Sequence, residues 1–176
     1  MRYHKISHDD MLNGDGLRVV LFVSGCDHRC KGCQNPQTWS ADSGVIFDTS
    51  AKEEIFNQLR NDYIDGLTIS GGDPLSKNNL IEVLELVKEV KDIFPTKTIW
   101  IYTGYSYDDI MSVMSNNDMS IRQEILELSD VVVDGLFEID LFNIKYPWAG
   151  STNQRVIDLN RTRKNNHLIL YEKGTE

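Results

Sequence analysis

Short apolar runs alternate along the chain with longer segments whose apolar residues recur at helical spacing, and this predicts strands and helices taking turns. Residues 17–23 (LRVVLFV) are a continuous, β-branched run bounded by turn residues, the pattern of a buried strand. Residues 66–70 (GLTIS), 98–103 (TIWIYT) and 131–135 (VVVDG) repeat it. Between them, Ser50 and Glu53 have the spacing of a capping box and predict a helix to about Arg60, with Ile55, Phe56 and Leu59 on its inner face. Leu80, Val83, Leu84, Val87, Val90 and Phe94 mark a longer amphipathic helix that stops before Pro95. A short helix is predicted around residues 108–114, with Met111 and Met114 filling core gaps. Another spans 121–128, opened by Ser120 and Gln123 as a second capping box.

The flanking segments are less regular. Residues 2–6 read as a short edge strand, 36–48 as irregular chain in which Trp39 is a packing anchor in preference to a ligand contact, 155–159 as a strand and 167–171 as a last one. Residues 137–148 are rich in aromatic and apolar side chains without a period. Strands alternating with helices, each strand ending in a turn that carries glycine or a polar residue, argue for a parallel sheet with its site at the carboxyl ends. Four clear strands are too few for a closed eight-stranded barrel. The expected fold class is therefore α/β, an open or partial (β/α) barrel with mostly parallel strands, as a single domain over residues 1–176.

Two of the strand-ending turns are candidate chemistry. Gly71-Gly72-Asp73-Pro74 places adjacent glycines where the backbone can approach a ligand and offer it hydrogen bonds. Asp134 is a candidate site residue or the cap of a turn. Tyr105 and Tyr107 are read as packing residues, and His4, His8 and His167, with no ligand-like neighbours, as packed or surface side chains.

The first strand leads into the sharper signal, because all three cysteines, Cys26, Cys30 and Cys33, fall within residues 24–35 (SGCDHRCKGCQN). Thiolates are soft ligands, and three of them at C-x3-C-x2-C spacing on one loop can converge on a single inorganic centre. Zinc ordinarily takes four protein ligands, and His28 is available as a fourth, although C-x-H-x-C crowds adjacent ligands. Three thiolates on a cubane iron–sulfur cluster leave one iron without a protein ligand, open to a small molecule. A disulfide fits an odd count of cysteines poorly.

Composition narrows the function class. The chain has 176 residues, 40% hydrophobic and 26% charged, which is ordinary for a globular protein with a substantial core. A net charge of -9 argues against nucleic acid as a partner, since phosphate binding needs concentrated Lys and Arg. No stretch has the apolar length of a signal peptide core or a membrane span, so a cytoplasmic location is expected, away from any membrane.

Taken together, these residues resemble the radical S-adenosylmethionine superfamily: the C-x3-C-x2-C loop and, at the end of the next helix-linked strand, the glycine turn at Gly71, Gly72 and Asp73. Within it the chain is most similar to the activating proteins of anaerobic ribonucleotide reductase, through NGDG at residues 13–16, FVSGCDHRCKGCQN, SGGDPL, TGY at 103–105, VDG at 133–135 and GSTNQRV from Gly150. Gly32 and Asp73 depart from the broad superfamily, where an aromatic residue and Glu are common, in the direction of that subgroup. The resemblance implies one 4Fe-4S cluster on Cys26, Cys30 and Cys33, with S-adenosyl-L-methionine chelating the open iron. It implies that Gly32, Cys33, Gln34, Gly71, Gly72 and Asp73 hold the methionine end, with no protein side chain assigned as catalytic. One electron would then cleave the sulfur–carbon bond, and the resulting deoxyadenosyl radical would take a hydrogen from a glycine of the anaerobic ribonucleoside-triphosphate reductase. An electron donor such as a flavodoxin is a further implied partner. A small-molecule enzyme of the same superfamily, such as a carboxy-deazaguanine synthase, is the alternative.

Overall fold

The computed structural model describes residues 1–112 and 117–173. The chain forms β1 (Arg2–Asp10), β2 (Arg18–Val23), a 3-10 turn (Pro36–Thr38), β3 (Val45–Ile46), α1 (Thr49–Leu59) and β4 (Gly66–Gly71). It continues as α2 (Leu80–Ile93), β5 (Thr98–Tyr102), α3 (Tyr107–Ser112), α4 (Asn117–Leu128), β6 (Val131–Asp134), β7 (Arg155–Asp158) and α5 (Leu159–Asn165). The seven strands make one open, mixed sheet in the order β3-β1-β2-β4-β5-β6-β7. Its centre, β2-β4-β5-β6, is parallel, and β1 and β7 flank that centre antiparallel.

Side chains two apart on a strand share a face, and this sheet uses its two faces differently. Val19, Leu21 and Val23, Leu67 and Ile69, Ile99 and Ile101, Val132 and Ile157 meet the apolar stripes of the helices in one core. Ile55 and Leu59 of α1, Val83, Leu86, Val87 and Val90 of α2, and Ile125 of α4 come to them from the helical side. The intervening residues, among them Trp100, Val131, Val133 and Val156, face the other way. They form a smaller cluster with Tyr102, Trp148 and Tyr171. On that second face Arg18 is buried, with its guanidinium donating to Thr68 Oγ1 (2.7 Å), Thr98 Oγ1 (2.9 Å) and the carbonyls of Asp15, Leu67 and Thr98. One side chain thus ties the NGDG turn to the beginnings of β4 and β5.

Several expectations need correction. Residues 2–6 belong to a nine-residue strand that lies inside the sheet, because the two residues of β3 pair with its outer side. Helix α1 is capped by Asp48, whose carboxylate accepts from the Ala51 amide at 3.0 Å, so Ser50 and Glu53 lie within the helix and form no capping box. Helix α4 begins four residues before Ile121. Ser120 and Gln123 are therefore inside it, with Gln123 Nε2 donating to the Ile110 carbonyl at 2.8 Å. Leu159 starts α5 and does not extend β7, and residues 167–171 contribute a single bridge, Ile157 to Leu170, without a strand. Met111 is 38% exposed and fills no core gap, while Met114 lies outside the described residues.

Candidate active site

Strand β2 carries the cysteine loop at its carboxyl end, and β4, its parallel neighbour, carries the glycine turn at the same end. Backbone pairing locks the two together: the Gly72 amide donates to the Val23 carbonyl and the Asp73 amide to the Gly25 carbonyl, both at 2.7 Å. Gly71 has φ +103°, and a Cβ there would lie 2.7 Å from the β2 backbone. A Cβ on Gly72 would lie 2.6 Å from the Gly25 carbonyl oxygen. The pair of glycines is thus required by the approach of one loop to another, in addition to any approach of a ligand.

The far side of the cysteine loop is held by the last residue of the 3-10 turn and the one after it. Gly25 and Cys26 donate their amides to the Thr38 and Trp39 carbonyls at 2.7 and 3.0 Å. Asn79, just before α2, donates its side-chain amide to the Ser24 and Asp73 carbonyls at 2.8 and 2.9 Å, so a buried side chain satisfies both loops at once. Within the loop Cys33 donates its amide to the Cys30 carbonyl at 3.1 Å, and the Asn35 amide donates to Cys33 Sγ at 3.3 Å. All three cysteines are free, half-buried thiols. Burial pushes the Cys26 thiol up to about 11.

Cys26, Cys30 and Cys33 line one cavity of about 170 Å³, together with Gly71, Gly72 and Asp73 of the turn and with Gln34. Gly32 does not line it: its φ of +76° bends the loop, and a Cβ there would meet Ile139 at 3.0 Å. The Asp73 carboxylate is buried and already occupied. It accepts from His28 Nε2 (2.8 Å), Thr103 Oγ1 (3.0 Å) and the amides of Leu75 (2.8 Å) and Gly104 (2.9 Å), fastening the cysteine loop and the TGY turn to the glycine turn. His28 is thereby committed to Asp73, with its ring edge-to-face against Tyr105 at 4.5 Å, and it does not complete a Cys3His set. Asp134 is likewise a clamp, accepting from the Tyr107 amide at 2.7 Å and from the guanidinium of Arg155 on β7. Gln154 joins the VDG and GST turns, donating to the Gly135 carbonyl at 2.9 Å and accepting from the Gly150 amide at 3.0 Å.

The donor set suits a cubane cluster better than a single ion. Among the described residues no three His, Cys, Asp or Glu are grouped to hold one metal ion, whereas thiolates on a cubane bind different irons and stand further apart. Three thiols on one cavity wall, with His28 engaged elsewhere, match the three-cysteine arrangement. Tyr105 and Tyr107 are packing residues, as expected, and are absent from the lining. Trp39, for which packing is the preferred reading over a ligand contact, and Tyr102, for which the hydrophobic pattern gives only a strand position, do line the cavity. No sequence signal distinguishes them from core aromatics.

Comparison with known proteins agrees with this geometry. The family model described as a 4Fe-4S single cluster domain matches residues 12–157. The anaerobic ribonucleoside-triphosphate reductase-activating protein of Enterobacteria phage T4 is 44% identical over 156 residues, covering 89% of this chain and 93% of the relative. The protein of the same description from Escherichia coli (strain K12) is 39% identical over 158 residues, with 89% and 97% covered. That from Vibrio cholerae is 42% identical over 156 residues, with 88% and 96% covered. Similarity extending over nearly the whole of both chains is not a likeness confined to the cysteine loop, and the chain belongs to the radical S-adenosylmethionine superfamily, in the family of anaerobic ribonucleoside-triphosphate reductase-activating proteins.

Proposed function

We propose that this protein activates an anaerobic ribonucleoside-triphosphate reductase by generating a glycyl radical on it, and that it does so at the cavity between the cysteine loop and the glycine turn. The observation that carries the reading is the placing of three thiols and the Gly71-Gly72-Asp73 backbone around one cavity, in a chain whose relatives bear that activating description. Cys26, Cys30 and Cys33 would hold the 4Fe-4S cluster. The chemistry it supplies when bound is one-electron reduction of the sulfonium of S-adenosyl-L-methionine, the source of the radical.

The residues around it have separable tasks. Cys33, Gln34 and the backbone of Gly71 to Asp73 line the cavity and would orient the methionine end, while Gly32 turns the loop so that Cys33 faces inward. Asp73 acts through its internal hydrogen bonds, keeping the two loops in register. The single open sheet, with all its larger helices on one face, supports a partial (β/α) barrel formed by one domain. Its uncovered side suits a macromolecular substrate, since a large partner can exclude water from the reacting centre. No described helix is long and apolar enough to cross a membrane. A cytoplasmic setting with a flavodoxin-like electron donor fits the oxidisable cluster.

The test is anaerobic incubation of the reconstituted protein with adenosylmethionine, a one-electron reductant and the cognate reductase. A glycine-centred radical should appear in the reductase by electron paramagnetic resonance, with methionine released in roughly stoichiometric amount, and it should vanish when the acceptor glycine is replaced by Ala. A radical-free reductase alongside turnover of a small heterocycle by this protein alone would transfer the assignment to the small-molecule class.

A further inference from the structure

The chain between β6 and β7, residues 135–154, is long for a connection inside one sheet, and loops of such length with little regular structure are usually functional. This one is firmly built. It contains a second 3-10 turn (Ile139–Leu141) and folds back on itself. The Glu138 amide donates to Ser151 Oγ at 3.1 Å, the Thr152 amide to the Leu141 carbonyl at 3.0 Å, and Tyr146 Oη to the Gln154 carbonyl at 3.2 Å. Yet its apolar side chains are turned out. Leu136, Ile139, Leu141, Phe142 and Ile144 are all exposed, from 40% for Ile139 to 86% for Ile144. An apolar residue alone on a surface needs no explanation, whereas a run of them on one ordered segment marks a place where another surface binds.

The segment adjoins the active site. Gly135, Phe137, Gly150 and Gln154 from its two arms line the cysteine-walled cavity. The Phe137 ring packs edge-to-face on Phe142 at 6.3 Å, and Ile139 stands against the cysteine loop, where a Cβ on Gly32 would meet its Cδ1 at 3.0 Å. The exposed apolar patch is therefore continuous with the rim of the cavity.

That position selects the occupant. A radical formed in the cavity has to pass to a glycine of another protein, so a surface of that protein must come up to this rim and close it against water. A second copy of this chain seated on the patch would block the approach. A lipid surface is disfavoured by Glu138 and Asp140, exposed among the apolar residues, and by a net charge of -9. An apolar centre interspersed with charged side chains is instead the make-up of a protein interface.

We propose that the β6–β7 loop, from Leu136 to Ile144, is a docking surface for the anaerobic ribonucleoside-triphosphate reductase, which meets it with an apolar face of its own beside the acceptor glycine. The inference rests on the activating function and adds to it the surface by which the partner is held.

The variants Ile144→Glu and Leu141→Glu place a charge in the patch, and Ile81→Glu places one on the half-exposed Ile81 of α2 as a control. Each is prepared as anaerobically reconstituted full chain. Affinity for the cognate reductase should fall by about tenfold or more in the two loop variants and stay parental in the control. The glycyl radical signal should return in the loop variants as the reductase concentration is raised, while iron content and adenosylmethionine affinity stay at the parent's level. Reductase affinity within about twofold of the parent's in both loop variants overturns the proposal. If that affinity is kept while Ile144→Glu abolishes dimerisation in sedimentation, or binding to phosphatidylcholine vesicles, the patch belongs to a second copy or to lipid. Loss of iron together with reductase affinity in both loop variants makes the loop a support of the site itself, and also overturns the proposal. Failure of the parent to raise a glycyl radical in a reductase that it binds would instead count against the activating function, so the two failures are distinguishable.

Discussion

At the scale of single residues, the site is built from groups that serve the protein before they serve a ligand. Gly72 invites the expectation that a side chain there would only obstruct a ligand. Its Cβ would in fact lie 2.6 Å from the Gly25 carbonyl oxygen, within the backbone of the cysteine loop. Gly72→Val should therefore destabilise the protein by about 1–3 kcal/mol, the usual cost of overpacking, and lower iron incorporation along with adenosylmethionine binding. Urea unfolding together with iron analysis checks this, and an intact cluster with parental stability would return Gly72 to a purely ligand-facing role. Replacing Cys26, Cys30 or Cys33 by Ala should have the complementary signature of retained fold but lost cluster and lost adenosylmethionine cleavage. A well-folded variant that still cleaves would take its cysteine out of the ligand set. The cysteines were legible in the sequence because their spacing is local. Asp73 and Asp134 were legible only as polar residues in turns, since the partners that define them, His28, Thr103 and Gly104 for one and Tyr107 and Arg155 for the other, are brought in from distant parts of the chain.

At the scale of elements, the hydrophobic pattern located the four parallel strands because each is buried on both faces and bounded by turn residues. It located α1 and α2 because their apolar stripes are long enough to show a period. Direction and pairing were not legible. Strand β7 follows a long loop, and nothing in Arg155–Asp158 indicates that it runs antiparallel to β6. Strand β3 is two residues long with Val45 and Ile46 both more than half exposed, so only its register with Arg2 and Tyr3 makes it a strand. Helix caps failed for a similar reason. Asp48, Thr49 and Ser50 present side-chain oxygens at three successive positions, and the sequence alone does not say which one the first turn selects. The structure selects Asp48. Asp48→Ala should then cost about 1 kcal/mol, typical of a lost N-cap, while Ser50→Ala should leave thermal unfolding close to the parent's. The reverse order in a melting comparison would restore the capping box at Ser50 and Glu53.

At the scale of the whole molecule, five partly buried tyrosines govern the response to alkali. Tyr3, Tyr102, Tyr105, Tyr107 and Tyr171 all have pKa values raised above the ordinary value of 10.0, with burial the leading cause in each, and for Tyr171 the value reaches about 12 with Asp15 adding to the effect. A raised folded-state value means that the native chain keeps phenolic protons which the unfolded chain releases as the pH passes 10. The stability these phenols contribute is therefore whole below pH 10 and falls as the pH rises through about 12. Arg18 acts with the opposite sign, since burial lowers it to about 10 from 12.5. One guanidinium set against five phenols does not reverse the trend. The expected result is a steep loss of stability to urea between pH 10 and 12, accompanied by tyrosinate absorbance that lags behind that of the unfolded chain until the protein opens. Coincident titration of native and unfolded chains would mean that the phenols on both faces of the sheet already meet water, and the burial that closes the sheet around its cavity would have to be revised.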